Sequence, residues 1–386
     1  MSGKGPLAGL RIIEMVGVGP GPFAAMWFAD MGAEVIRIDR PGQRDNQTRM
    51  DVLNRGRASL ALNLKAPGAV DVMMRLVERS DALIEGFRPG VMERLGLGPD
   101  ACMARNPKLV YGRITGWGQD GPFASEAGHD INYIALTGAL SAIGPRDGRP
   151  VPPLNLVGDF GGGGMLIIAG MLAALLERAQ SGRGQVVDAA MYEGAALLTA
   201  MTWGYLAKGR WKEERESNLF DGGPPFYGTY RCADGRYVAL GNIEAEFWSD
   251  FLERCGIDDP DLRDYQKDEA RWPALRARLD TIFATRPRDE WCAMVGGSDA
   301  CLSPVLDWSE APQHALAKAR GAYTEVAGVT QPAPTPKFSR TPGSVGSPPP
   351  FVGEQSREVL ERFEFSAEEI EHLIGNGVVE QAAPGS

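Results

Sequence analysis

Histidine and cysteine are scarce in this chain. Its 386 residues include three histidines (His129, His314, His372) and five cysteines (Cys102, Cys232, Cys255, Cys292, Cys301). No histidine lies near a cysteine or a second histidine, and no C-x-x-C occurs. These spacings exclude the usual zinc signatures and give no metal site. An odd number of scattered cysteines argues against a disulfide framework and fits reduced thiols. No basic segment followed by an apolar one opens the sequence, so no secretory leader is expected. The longest apolar run, Met165–Leu176, is too short to cross a bilayer. Bases number 40 against 50 acids, a net charge of -10, which argues against a generic nucleic-acid or anionic-membrane binder. The expected compartment is cytoplasmic.

Apolar residues make up 44% of the chain, an ordinary share for a globular protein, and the length suggests two domains. Leu10–Met15 reads as a buried strand, Val16–Pro22 as a Gly/Pro turn, Phe23–Met31 as a helix ending at Gly32, and Ala33–Asp39 as a second strand. This βαβ unit opens a doubly wound, Rossmann-like parallel sheet in an α/β fold. Alternation continues through a helix at Ala69–Arg79, strands at Ala82–Ile84 and Leu109–Ile114, and a helix at Asn132–Leu140. A further helix at Met165–Arg178, a strand at Gln185–Met191 and a helix at Glu193–Leu206 follow. Residues 1–208 are therefore expected to begin a large domain. Phe226–Cys232 and Arg236–Ile243 flank Ala233-Asp234-Gly235, an antiparallel hairpin signal. Residues 225–325 read as a smaller α+β domain. Residues 330–386 read as a linker and a C-terminal segment, with a capping box at Ser366-Ala367-Glu368-Glu369.

Asp159 stands in Asn155-Leu156-Val157-Gly158-Asp159-Phe160-Gly161-Gly162-Gly163-Gly164, directly before an apolar helix. A carboxylate there would face backbone bare enough for a ligand to approach, beside N–H groups able to hold developing negative charge. The alternative is a plain N-cap with glycines that serve packing. The turn Gly17-Val18-Gly19-Pro20-Gly21-Pro22 imitates a dinucleotide fingerprint, with Asp39 placed to hold a ribose. Its third glycine position is Pro22, however, so nicotinamide binding is not expected.

Residues 37–65 carry seven bases (Arg37, Arg40, Arg44, Arg49, Arg55, Arg57, Lys65) against three acids, a local charge reversal that suggests a polyanion site. Arg88 and Arg94 are placed to join it. A solvated basic loop is the alternative. His129 follows a glycine-rich aromatic loop and precedes a helix, where a proton-transferring imidazole or a structural one fits equally. Glu244 ends a strand of the small domain and would fix the tautomer of His129 if the two meet. Met191, Met201, Trp203, Phe226 and Tyr227 are candidates for an apolar pocket or for ordinary core.

The chain resembles the class III CoA-transferase family. The resemblance rests on Gly17–Pro22, Gly32–Pro41, Arg88–Val91, Arg113–Leu140, Gly158–Gly164 and Asp221–Glu244, and runs from Leu7 to about Phe338. It is nearest the branch that racemises α-methylacyl-CoA thioesters. The resemblance implies catalytic roles for His129 and Asp159, with Glu244 as partner of the histidine. It also implies contacts to CoA from Arg40, Lys65, Arg88 and Arg94, and binding roles for Asp130 and for Tyr133, the latter near the acyl thioester. Members of the family are interlocked homodimers, so Glu244 would meet His129 of the partner subunit. No cofactor beyond the CoA carried by the substrate, and no metal, is implied. True transferases of the family use an aspartate nucleophile, aligned here with Glu193, a residue one methylene longer. That difference favours racemisation by two bases, with CoA transfer between carboxylic acids and non-catalytic acyl-CoA binding as the alternatives.

Overall fold

The computed structural model describes residues 4–42, 48–263 and 268–382, so Arg44 lies outside the described residues. The chain divides into two units. The large one takes Met1–Thr137, Leu154–Leu198 and Ala315–Ser386, and the small one Gly138–Pro153 and Thr199–His314. Residues 138–153, read from sequence as part of the first domain, thus fall in the small unit, which also begins earlier and ends sooner than 225–325.

The large unit is built on strands β1 (Arg11–Met15), β2 (Glu34–Asp39), β3 (Arg57–Leu62), β4 (Ala82–Glu85), β5 (Val110–Thr115) and β6 (Val186–Ala190). They run parallel in the order β3-β2-β1-β4-β5-β6. This is the doubly wound order, with its switch point between β1 and β4. Ile13 faces Ile36 on one side and Leu83 on the other, and all three are buried. Strands covered on both faces read as continuous apolar runs, which is why most were visible in the sequence.

β3 was not visible there. Its segment, Arg57-Ala58-Ser59-Leu60-Ala61-Leu62, lies in the stretch read as a polyanion site or a solvated basic loop, yet Ser59, Leu60 and Ala61 are fully buried. The charges that disguised it are neutralised inside the fold, as described below.

Helix α1 (Pro20–Asp30) starts three residues before the expected Phe23, because Gly19 at φ 68 turns the chain and Pro20 takes the first helical position. Further helices of the large unit are α2 (Ala69–Glu78), α3 (Val91–Arg94), α4 (Pro99–Arg105) and α5 (Asp130–Leu136). Leu156–Met165 forms π-helical turns that run directly into α6 (Leu166–Ser181). The continuous helix Leu156–Ser181 spans 26 residues and is long and apolar enough to cross a membrane by length and composition. It is the only such helix among the described residues, and it corrects the shorter run read from sequence. Its Ile167, Ile168, Met171, Ala174 and Leu175 are buried in the core against the sheet. The single helix expected at 193–206 is two, α7 (Met191–Leu198) and α8 (Ala200–Ala207), and α8 belongs to the small unit.

In the small unit, β7 (Tyr227–Arg231), β8 (Tyr237–Gly241) and β9 (Leu302–Pro304) form an antiparallel sheet, with the hairpin turning at Gly235. Helix α9 (Ala245–Arg254) and helices Trp272–Phe283 and Arg288–Met294 cover it. Trp248, Phe251, Phe283 and Trp291 form its core. Phe226, a candidate for an acyl pocket, is part of that core and meets Trp272 edge-on at 6.0 Å.

The C-terminal segment returns to the large unit. There β10 (Tyr323–Val326) and β11 (Val329–Pro332) form a ribbon, and β12 (Val379–Glu380) pairs antiparallel with the outer edge of β3. The helix Ala367–Gly375 starts with the expected capping box. The Ser366 N–H donates to Glu369 Oε2 at 2.7 Å, and the Glu369 N–H donates to Ser366 Oγ at 3.2 Å.

Candidate functional site

A cavity of about 550 Å³ opens at the carboxyl ends of β1, β4 and β5, all in the large unit. Its wall is made by the turn Val16–Pro22 after β1, Gly86–Pro89 after β4, and Gly116-Trp117 after β5, closed by Gly128, His129, Tyr133, Asp159 and Met191. Open α/β sheets bind ligands at this kind of switch point because the strand ends diverge there.

His129 is exposed on this wall immediately before α5, where its backbone N–H donates to Asn132 Oδ1 at 3.1 Å. Asp159 is half-buried in the same wall. Asn155 Nδ2 donates to its Oδ2 at 3.2 Å, and a Cβ on Gly19 would stand 3.6 Å from that oxygen. Burial raises the proton affinity of Asp159. The Asn155 hydrogen bond opposes that rise, the charge of Asp130 adds to it, and the nearby His129 imidazole lowers it. The two candidate proton carriers therefore share one cavity, close enough for the charge of His129 to act on Asp159.

Tyr133 is wedged between glycines. A Cβ on Gly116 would meet its ring at 2.3 Å and one on Gly128 at 2.7 Å, so only glycine fits either position. Its hydroxyl donates to the Gly128 carbonyl at 2.5 Å, and Trp117 packs edge-on at 4.8 Å. Burial, then the charges of Asp159 and Asp130, push its hydroxyl up to about 12. Tyr133 lines the cavity and also holds the loop that delivers His129.

Asp130, expected from the resemblance to bind substrate, is turned inward. It is 5% exposed, and its Oδ2 accepts the N–H groups of Gly158 at 2.6 Å and Asp159 at 2.7 Å. It does not line the cavity. These bonds also correct the expected oxyanion donors: the N–H groups of Gly158 and Asp159 are already taken, and that of Phe160 is donated to the Asn155 carbonyl at 3.4 Å.

The glycine run is likewise corrected. A Cβ on Gly162 would meet the Ala195 nitrogen at 2.7 Å, one on Gly163 the Met191 side chain at 2.7 Å, and one on Gly164 the Phe23 ring at 2.5 Å. The bare backbone is approached by α1 and α7, and the glycines serve packing.

The basic run divides in two. Arg37 pairs with Asp39 at 2.8 Å, Arg49 with Glu354 at 2.6 Å, Arg55 with Asp30 at 2.6 Å and Arg57 with Glu14 at 2.6 Å. These four are structural. Asp39, the possible ribose ligand, is buried and also accepts from Ser59. Arg40, Lys65, Arg88 and Arg94 are exposed, and of these Arg88 lines the cavity.

Glu85 was missed. It ends β4, lines the cavity and is 1% exposed, held by Arg113 Nε at 2.8 Å and by the Phe87 N–H at 2.8 Å. Burial pushes its carboxyl up. An acid closing the apolar run Ala82-Leu83-Ile84 was the available signal. Glu193 is exposed on α7 and is not in the cavity wall. Its difference from aspartate therefore says nothing about which nucleophile the cavity offers, because the carboxylate beside His129 is Asp159. Met191 lines the cavity, whereas Met201 and Trp203 are exposed on α8. Glu244 precedes α9 in the small unit and is exposed.

Residues 7–356 match CoA-transferase family III. The chain belongs to that family. Among its family relatives, it is 45% identical to the α-methylacyl-CoA racemase of Mus musculus and 43% identical to that of Homo sapiens. Each comparison covers 97% of this chain and 97% of the relative. The family fold is seen in a CAIB/BAIF family protein from Brucella suis, which superposes with a TM-score of 0.81 at 25% identity, covering 94% of this chain and 100% of that one.

Proposed function

We propose that this protein is a racemase of 2-methyl-branched acyl-CoA thioesters. The observation that carries the proposal is the presence of His129 and Asp159 on one cavity wall, in a chain 43–45% identical to two racemases over nearly its whole length. One group removes the α-proton, the carbanion flattens into an enolate, and the other returns a proton to the far face; their roles reverse with the handedness of the substrate. Each positioned base contributes roughly 10²–10⁴-fold. Arg88 on the wall suits the phosphates of CoA, with exposed Arg40, Lys65 and Arg94 outside it as further candidates.

A homodimer is part of the proposal, with Glu244 supplied to His129 of the partner subunit. Supporting it, the large unit exposes Leu136, Leu156, Met165, Leu176, Leu197 and Leu198, each at least 48% accessible, on α5, the Leu156–Ser181 helix and α7. A cytoplasm-like, reducing setting fits five free cysteines.

Incubating an R- or S-2-methylacyl-CoA in D₂O should give α-deuteration and the opposite epimer. No exchange from either epimer across a range of acyl lengths would falsify the racemase proposal. CoA transfer is the second function to test, because family membership and a cavity carboxylate at Asp159 both suit it. Rapid movement of CoA to an added carboxylic acid, with an acyl intermediate trapped by hydroxylamine, would establish it instead.

A further inference from the structure

Asp130 follows His129 in sequence and bonds to the backbone of Asp159 in space. Its Oδ2 takes two backbone N–H groups at 2.6 and 2.7 Å, those of Gly158 and Asp159. Its Oδ1 is buried without a hydrogen-bond partner among the described residues. The contact is closed by the absence of a side chain at Gly158, where a Cβ would stand 2.7 Å from Oδ2 and 2.9 Å from Cγ of Asp130. The start of α5 is thereby tied to the π-helical turns that carry Asp159, although the two segments lie 29 residues apart.

We infer that the Asp130 carboxylate is a positioning residue, a clasp that sets the spacing between the His129 imidazole and the Asp159 carboxylate. Bonds to a charged acceptor are shorter and stronger than neutral ones, so the clasp is stiff. Two groups that must reach opposite faces of one carbon tolerate little slack: a displacement of about 1 Å costs on the order of 100-fold in rate. The negative charge has a second effect, since it adds to the proton affinity of Asp159. Asparagine at 130 keeps an acceptor for the two N–H groups and loses that charge; alanine loses both.

The inference rests on the racemase proposal for its kinetic readout and on backbone protection for its structural one. Asp130→Ala should lower kcat for α-proton exchange by about 100-fold while KM for the acyl-CoA stays within about threefold. Asp130→Asn should keep more than about a tenth of kcat and move the acid limb of its pH profile to lower pH. A kcat within about threefold of wild type in Asp130→Ala, or an Asp130→Asn as impaired as Asp130→Ala with an unmoved acid limb, overturns the clasp. If Asp130→Ala does not fold, Gly158→Ala opens the same contact from the other side and must reproduce the loss of kcat; wild-type turnover there overturns it equally. Hydrogen exchange measured on the full chain separates this inference from the racemase proposal. The amides of Gly158 and Asp159 should lose about tenfold or more protection in whichever of these clasp-opening variants folds. Unchanged protection defeats the clasp even if the variant is inactive. A wild-type protein that deuterates no substrate defeats the racemase proposal and leaves the protection result to decide the clasp.

Discussion

Arg57 Nε lies 2.6 Å from Glu14 Oε2, with both side chains at most 1% exposed. The same guanidinium donates to the carbonyls of Pro22 and Leu53. One buried pair therefore joins the end of β1, the turn that walls the cavity and the start of β3. Removing one partner leaves the other charge uncompensated, which costs roughly 3–5 kcal/mol. Arg57→Met should lower the urea midpoint accordingly. A paired Glu14→Leu and Arg57→Met variant should recover much of that loss, because two apolar groups replace two desolvated ones.

Gly164 faces the Phe23 ring at 2.5 Å from where its Cβ would be. Overpacking of this kind costs about 1–3 kcal/mol. Gly164→Ala should therefore lower the melting temperature, and Phe23→Leu in the same chain should restore part of it. A Gly164→Ala protein as stable as wild type would show that α1 and the π-helical turns do not meet as described.

Burial holds Asp159 above the ordinary carboxylate range of about 3.9. In the direction where Asp159 takes the proton, only its ionised form works, so the rate falls as pH drops through that raised value. The acid limb of kcat/KM should lie at higher pH than an ordinary solvated carboxylate would give in that direction. In His129→Ala, racemisation should be lost while CoA binding persists, and one epimer alone should still exchange its α-proton, with retention, through Asp159. Near-normal racemisation in that variant would remove His129 from the mechanism.

The basic residues should sort by role. Arg88 lines the cavity, and Arg88→Ala should weaken CoA binding about 10-fold or more by calorimetry, since a hydrogen bond to a charged group contributes roughly 1.5–3 kcal/mol. Arg55 is bound to Asp30 and to Gln331 at 2.7 Å, so Arg55→Ala should lower stability and leave CoA affinity of the folded fraction nearly unchanged. Equal effects of the two substitutions on affinity would contradict this division.

Signals confined to a few neighbouring residues were legible without a structure. The first βαβ unit followed from continuous apolar runs and a Gly/Pro turn, the hairpin from Asp234-Gly235, and the last helix from its Ser366 and Glu369 cap. His129 was marked by its place after a glycine-rich loop, Asp159 by its glycine run before an apolar helix, Arg88 by the local excess of bases, and all three by family resemblance. β3 was hidden because Arg57 looks solvated until Glu14, 43 positions earlier in number, is brought to it by the sheet.

Residue type and local order alone determined the elements with strong local patterns, such as the first βαβ unit, the hairpin and the capped last helix, and which side chains can carry a proton. Only the tertiary structure decided their employment. Packing turned a glycine run that suggested a ligand site into the seat of two helices, and it turned four of the bases into internal ion pairs. It also committed Asp130 to the backbone of Asp159. The reason is that burial and long-range pairing, which set the cost of every charge and the room for every Cβ, depend on residues distant in sequence, and their meeting leaves no mark on the local pattern.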